Sequence, residues 1–137
     1  MQMPWIEKYM GLITILANAA SIEVISAGQA AGTVEFSLRI NSNTGHKLPS
    51  AYPSRRVILH VTVKDNDEVV FESGKVNANG SVVGLDSDMD QTKFEPHYDL
   101  IESADQVQVY ESIMHDSDGN VTYTLLRASS YVTEVSQ

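Results

Sequence analysis

A chain of 137 residues, 42% hydrophobic and 20% charged, is sized for one globular core and is too apolar for intrinsic disorder. Eighteen acidic residues against nine basic ones leave a formal charge of −9, which repels phosphate backbones and disfavours nucleic acid or an anionic membrane as the main partner. Zero cysteines exclude disulfides, thiolate metal centres, thiol catalysis and covalent haem attachment, and no apolar run approaches the ~18 residues of a spanning helix.

Residues 1–20 read as an amino-terminal helix packed on or beside a single β-domain formed by residues 21–137. Pro4 suits a first helical turn, and Trp5, Tyr9, Leu12, Ile13 and Leu16 recur at helical spacing on one face. The apolar run from Met10 to Leu16, followed by Ala17-Asn18-Ala19, has the outline of a secretion signal. Glu7 beside Lys8 denies it the basic start such a signal needs.

Ser21-Ile22-Glu23-Val24-Ile25 alternates like a strand, and the small residues with Gly28 and Gly32 that follow read as a turn. The cleanest period-two run is 33–41: Val34, Phe36, Leu38 and Ile40 share one face, and Glu35, Ser37 and Arg39 the other. Residues 56–64 form the next strand. Asp65-Asn66-Asp67 turns it into Glu68-Val69-Val70-Phe71-Glu72-Ser73, a hairpin signal. His60 lies in the first of these strands and reads as a satisfied or solvent-facing side chain.

Between Gly74 and Ser103 the periodicity fails, over a length that calls for short strands or a function; Ser81-Val82-Val83 is one candidate strand. Residues 106–114 restore alternation, and Asp116-Ser117-Asp118-Gly119-Asn120 turns them toward a strand over 121–126. That turn has the lettering of a calcium loop but lacks the acid that should close it. The acidic run Asp86-Ser87-Asp88-Met89-Asp90 leaves a bound cation open as an alternative to simple solvation. About seven strands with turn signals between them predict an antiparallel, immunoglobulin-like β-sandwich.

The densest polar cluster is the loop over residues 41–56. Gly45, Pro49 and Pro53 stiffen it, and it presents His46, Lys47, Tyr52, Arg55 and Arg56. A neutral imidazole ligates metals or haem iron, and guanidinium groups fork onto carboxylates. The plainer reading is that Arg55 and Arg56 pair with some of the many acids and His46 bonds its own loop. His97, set between Pro96 and Tyr98, is the other candidate ligand-binding histidine. No phosphate loop and no serine, histidine and acid arrangement supports an enzyme. A glycan-binding reading finds no platform in Tyr52, Tyr98 and Tyr110.

Asn43-Thr44-Gly45-His46-Lys47-Leu48-Pro49, then Tyr52-Pro53-Ser54-Arg55-Arg56, Leu59-His60-Val61 and Val70-Phe71-Glu72-Ser73-Gly74, resemble the cysteine-free, β-rich carboxy-terminal region of bacterial multihaem c-type cytochrome family proteins. The resemblance continues through Phe94-Glu95-Pro96-His97-Tyr98-Asp99, residues 106–111 and Leu125-Leu126-Arg127-Ala128. It covers roughly residues 20–131 and implies a periplasmic, electron-transfer setting; an uncleaved amino-terminal helix would instead fit the cytoplasm. Ser50-Ala51 stands where the family pattern has a Thr-Gly pair. This chain has no haem-attachment motif, so what carries over is a docking surface rather than electron transfer.

The leading expectation is a non-enzymatic binding module without a cofactor. It would bind a protein partner or self-associate, as a homodimer through the amino-terminal helix or through the loop over 41–56. The alternative is non-covalent haem or metal binding through His46 and His97.

Overall fold

The computed structural model describes residues 17–49, 52 and 55–133. The chain forms two compact units, Met1–Leu48 and Pro49–Gln137, so the break falls inside the polar loop. The expected amino-terminal helix, with its stripe from Trp5 to Leu16, lies outside the described residues. What is described is mainly strand, arranged in small antiparallel sheets.

The smaller unit is a long hairpin. Strand β1, Ala20–Ala30, pairs antiparallel with β2, Thr33–Ser42. The turn is shorter than the run of small residues suggests: only Ala31 (φ 50°) and Gly32 (φ 83°) form it, and two successive positive φ angles match the twist of the flanking strands. Gly28 therefore lies inside β1. Ile22 sits opposite Ile40 and Val24 opposite Leu38; a bulge at Ile25 then shifts the register so that Ala27 faces Phe36 and Gln29 faces Val34. One extra residue thus keeps the apolar side chains of both strands on one face. The other face carries Glu23 and Arg39, which are register partners 3.7 Å apart.

In the larger unit, β3 (Val57–Ile58) pairs with β6 (Val109–Tyr110), and β4 (Val61–Asp65) pairs with β5 (Glu68–Ser73). The strand expected over 56–64 is thus broken at Leu59 and His60, and its halves serve different sheets. Asn66, at φ 52°, makes the β4–β5 turn, as the Asp65-Asn66-Asp67 lettering implies. The long connection contains an isolated bridge between Val76 and Val82 and a single 3-10 turn, Asp86–Asp88.

The expected strand over 121–126 does not form. Strand β7, Ser112–His115, meets this segment only at a bridge between His115 and Val121, and pairs instead with β8, Ser130–Thr133. Residues 124–128 turn twice, through bonds from the Arg127 N–H to the Thr124 carbonyl and from the Ala128 N–H to the Leu125 carbonyl. That leaves Leu126 fully in solvent. The pairing begins, with the Thr122 N–H donating to the Met114 carbonyl, and ends there because the chain turns away over residues 124–128, while β8 pairs along the opposite edge of β7 through the His115 carbonyl.

Val82, Leu85, Val107 and Val109 form the core of this unit, with Ile58 packed against them. Gly74 closes the β5 end. Its φ of +75° already excludes most side chains, and a Cβ there would overlap the Leu59 carbonyl oxygen. Beside it the buried Ser73 hydroxyl donates to the Gln106 carbonyl at 2.8 Å, which ties β5 to the segment that carries Val107 and leads into β6.

Candidate functional site

The residues singled out by the sequence are divided between the two units. His46 and Lys47 belong to the hairpin unit and are exposed. The turn there is held by its own polar groups: Thr44 Oγ1 donates to the His46 carbonyl at 2.6 Å, and Ser42 and Thr44 share a hydroxyl contact at 2.9 Å. Tyr52, Arg55, Arg56 and His97 belong to the larger unit. Tyr52 is 53% exposed and its carbonyl accepts the Arg55 N–H at 3.0 Å.

Arg56 is committed elsewhere. Its guanidinium donates to Asp88 Oδ1 at 2.9 Å, while Asp88 Oδ2 accepts the Val82 N–H at 2.8 Å. The Asp88 side chain is only 12% exposed, so the pair is mostly screened from water and anchors the acidic turn to β3. Neighbouring acids are spoken for as well. Asp86 pairs with Lys93 at 3.1 Å, and Asp90 takes two hydrogen bonds from Thr92. Among the described residues no cluster of three or more histidines and carboxylates is arranged to hold a metal.

The lettering of residues 116–120 resolves as a turn. Asp116 Oδ1 accepts the N–H groups of Asp118 and Asn120, at 3.0 and 2.9 Å. These bonds hold its carboxyl below the usual aspartate range, the Asn120 bond most. His60 is exposed and donates to Glu72 at 3.0 Å, and Lys75 joins the same carboxylate at 2.9 Å.

His97 is held from two sides. Its ring meets Tyr110 edge-on at 5.9 Å between centroids, and its Nδ1 lies 2.8 Å from the Gln108 carboxamide nitrogen. The direction of that bond follows from a neighbour: the Tyr98 N–H donates to the Gln108 oxygen at 2.9 Å, so the amide presents its NH₂ to the imidazole. His97 Nδ1 therefore accepts, and the proton of the neutral ring sits on Nε2, the nitrogen that faces Asp99 at 4.0 Å. Histidines that ligate metals usually donate from the ring nitrogen not bound to the metal to an acceptor; here that nitrogen meets a donor.

Comparison with family models, with curated proteins and with solved structures finds no match to this chain.

Sequence reasoning missed Gln108, which holds His97, and it placed Asp88 in a candidate cation loop without pairing it with Arg56. Gln108 stands in an alternating run with Gln106, where period two assigns it to the wet face, yet it is 3% exposed. Val107, Gln108 and Val109, which lead into β6, are buried consecutively, so this segment is covered on both sides and alternation carries no signal there. It also missed a cleft lined by Arg56, Gln91, Tyr123, Thr124 and Arg127.

Proposed function

We propose that this chain is a non-enzymatic β-rich interaction module, related to the accessory region of multihaem cytochromes, and that the apolar face of its hairpin docks a second copy of the chain. The observation that carries the reading is the β1–β2 ribbon, on which Ile22, Val24 and Val34 are each more than half exposed and Phe36 is 36% exposed. A two-stranded hairpin alone is marginal in water, and a contiguous apolar face of this kind marks a contact surface.

The partner's chemistry is argued from charge. The chain carries −9, which opposes association of copies through most surfaces. The face formed by Ile22, Val24, Ala27, Gln29, Val34, Phe36, Leu38 and Ile40 holds no ionisable side chain, because Glu23, Glu35 and Arg39 lie on the other face. Two such faces meet without opposing like charges. The cytochrome relationship rests on the sequence resemblance alone, and the finer arrangement proposed with it is a seven-strand, immunoglobulin-like sandwich with an amino-terminal helix.

Sedimentation velocity over a hundredfold concentration range tests the reading. Wild type should shift from monomer to dimer, and Val24→Asp should remain monomeric with an unchanged melting temperature. A wild type that stays monomeric at the highest concentration overturns self-docking. A Val24→Asp variant that melts much earlier as a monomer overturns it too, since the face would then be covered within one chain.

A further inference from the structure

The larger unit contains a cleft of about 690 Å³ between residues 86–92 and 121–127, a size typical of small-molecule sites. Among its lining residues only Val121 is an aliphatic side chain. The others used here are Arg56, Asp88, Gln91, Tyr123, Thr124 and Arg127. Two guanidinium groups, a carboxylate, a carboxamide and a hydroxyl supply donors and acceptors side by side, with one aromatic ring among them.

The walls are fixed before any ligand arrives. Asp88 is bonded to Arg56 and to the Val82 N–H, the Ser87 N–H donates to the buried Glu95 carboxylate at 3.2 Å, and the Tyr123 hydroxyl donates to the Lys93 carbonyl. That last bond joins the 86–95 segment to the 121–127 segment. A preformed site loses less entropy on binding.

Charge selects the ligand. The Arg56–Asp88 pair cancels within the wall, so an organic anion would meet Arg127 against Glu95 and Glu111, which lie near enough to act on Tyr123; burial and these two carboxylates hold the Tyr123 hydroxyl in the protonated form. A cation would meet Arg127, whose charge no cleft carboxylate offsets once Asp88 is paired with Arg56. A neutral ligand with many hydroxyls satisfies both signs: vicinal hydroxyls accept from guanidinium and donate to carboxylate or carboxamide, and the apolar face of a sugar ring suits an aromatic neighbour.

We propose that this cleft binds a neutral saccharide, one or two units of which lie against Tyr123 with hydroxyls on Gln91, Thr124 and Arg127. The test is amide NMR titration of the full chain with neutral trisaccharides of glucose, of mannose and of N-acetylglucosamine, alongside glucuronate and inorganic phosphate. At least one neutral trisaccharide should saturate, with shifts gathered at residues 91, 123, 124 and 127. Arg127→Ala and Gln91→Ala, both at exposed positions, should each weaken it about tenfold, or roughly 1.4 kcal/mol, with melting unchanged. Tyr123→Ala should abolish it, and if that variant unfolds the two exposed-site variants decide. No saturation by any neutral sugar up to roughly 10 mM, a Kd corresponding to only a few kcal/mol, overturns the proposal. So does tighter binding of glucuronate or phosphate, or a sugar affinity untouched by Arg127→Ala and Gln91→Ala.

Discussion

The Arg56 guanidinium and the Asp88 carboxylate meet at 2.9 Å, with side chains 28% and 12% exposed, and this contact joins the end of the polar loop to the acidic turn. Asp88 also accepts the Val82 N–H at 2.8 Å, next to the core valine it helps to place. Asp88→Ala should therefore destabilise the larger unit by about 2–3 kcal/mol, since it strands a guanidinium and a backbone donor together. Arg56→Ala should cost about 1–2 kcal/mol, because Asp88 keeps one partner. Urea denaturation of both singles and the double variant checks this: a coupling of about 1 kcal/mol is expected, and strictly additive losses would mean that the pair does not hold the turn.

Gly74 is the position where backbone geometry leaves least choice. Its positive φ, and the Leu59 carbonyl lying where a Cβ would go, make Gly74→Ala costly by about 3 kcal/mol from strain and displacement of the β3–β4 junction. Equilibrium unfolding should show a lower midpoint at unchanged slope. A loss below about 0.5 kcal/mol, the scatter of ordinary surface substitutions, would mean that the junction relaxes freely.

The pH dependence follows from groups whose folded-state affinities for protons differ from their ordinary values. Glu72 is lowered by hydrogen bonds from Lys75 and then His60, Asp90 by its bonds from Thr92, Asp105 by Ser103, and Asp116 by the Asn120 N–H. Each holds its charge more readily when folded, so its contribution is present above the ordinary carboxyl range and is lost as pH falls through the lowered values. At the other end, Lys93 is raised by its bond to Asp86, and burial raises Tyr98, Tyr110 and Tyr123. These hold their protons more tightly when folded, so their contributions are present below about pH 10 and are lost as pH rises through the raised values. Melting temperature should form a plateau from about pH 5 to 9, falling on both sides. Asp116→Asn should flatten the acid limb, and an acid limb identical to wild type would remove Asp116 from this account.

How much of this was legible depends on whether the deciding contacts are local. The β4–β5 hairpin and β2 follow from alternation and turn chemistry within a dozen residues, and both stand where the pattern put them. The lettering of Asp116 to Asn120 likewise resolves in place as a turn. Strand length is not local: residues 121–125 alternate, yet they meet β7 only at the His115–Val121 bridge before the chain turns away, and the ladder of β7 is made with β8 on its other edge. Nor is the fate of a charged or polar side chain. Arg56 reads as pairing with one of many acids, but nothing local names Asp88, 32 residues away, as that acid, and Gln108 reads as solvated because alternation assumes one wet face, a condition that fails where Val107, Gln108 and Val109 are all buried.

The Gln108 amide also decides what His97 is fit to do. With the Gln108 NH₂ aimed at Nδ1 and the Tyr98 N–H holding the amide in that sense, an iron or zinc ion at Nε2 would require the imidazole proton to move to Nδ1, where it would face another donor. Long-range proton–nitrogen NMR should show wild-type His97 in the Nε2–H tautomer, and hemin titration should change neither its absorbance nor its melting temperature. Gln108→Glu replaces the NH₂ with a second acceptor while the other oxygen still takes the Tyr98 N–H, so the ring proton settles on Nδ1 and the Nε2 lone pair is released. That variant should bind hemin or zinc measurably, and adding His97→Ala should abolish the gain. Wild-type binding that disappears in His97→Ala would show that the amide does not restrain the histidine and would return haem ligation to this residue.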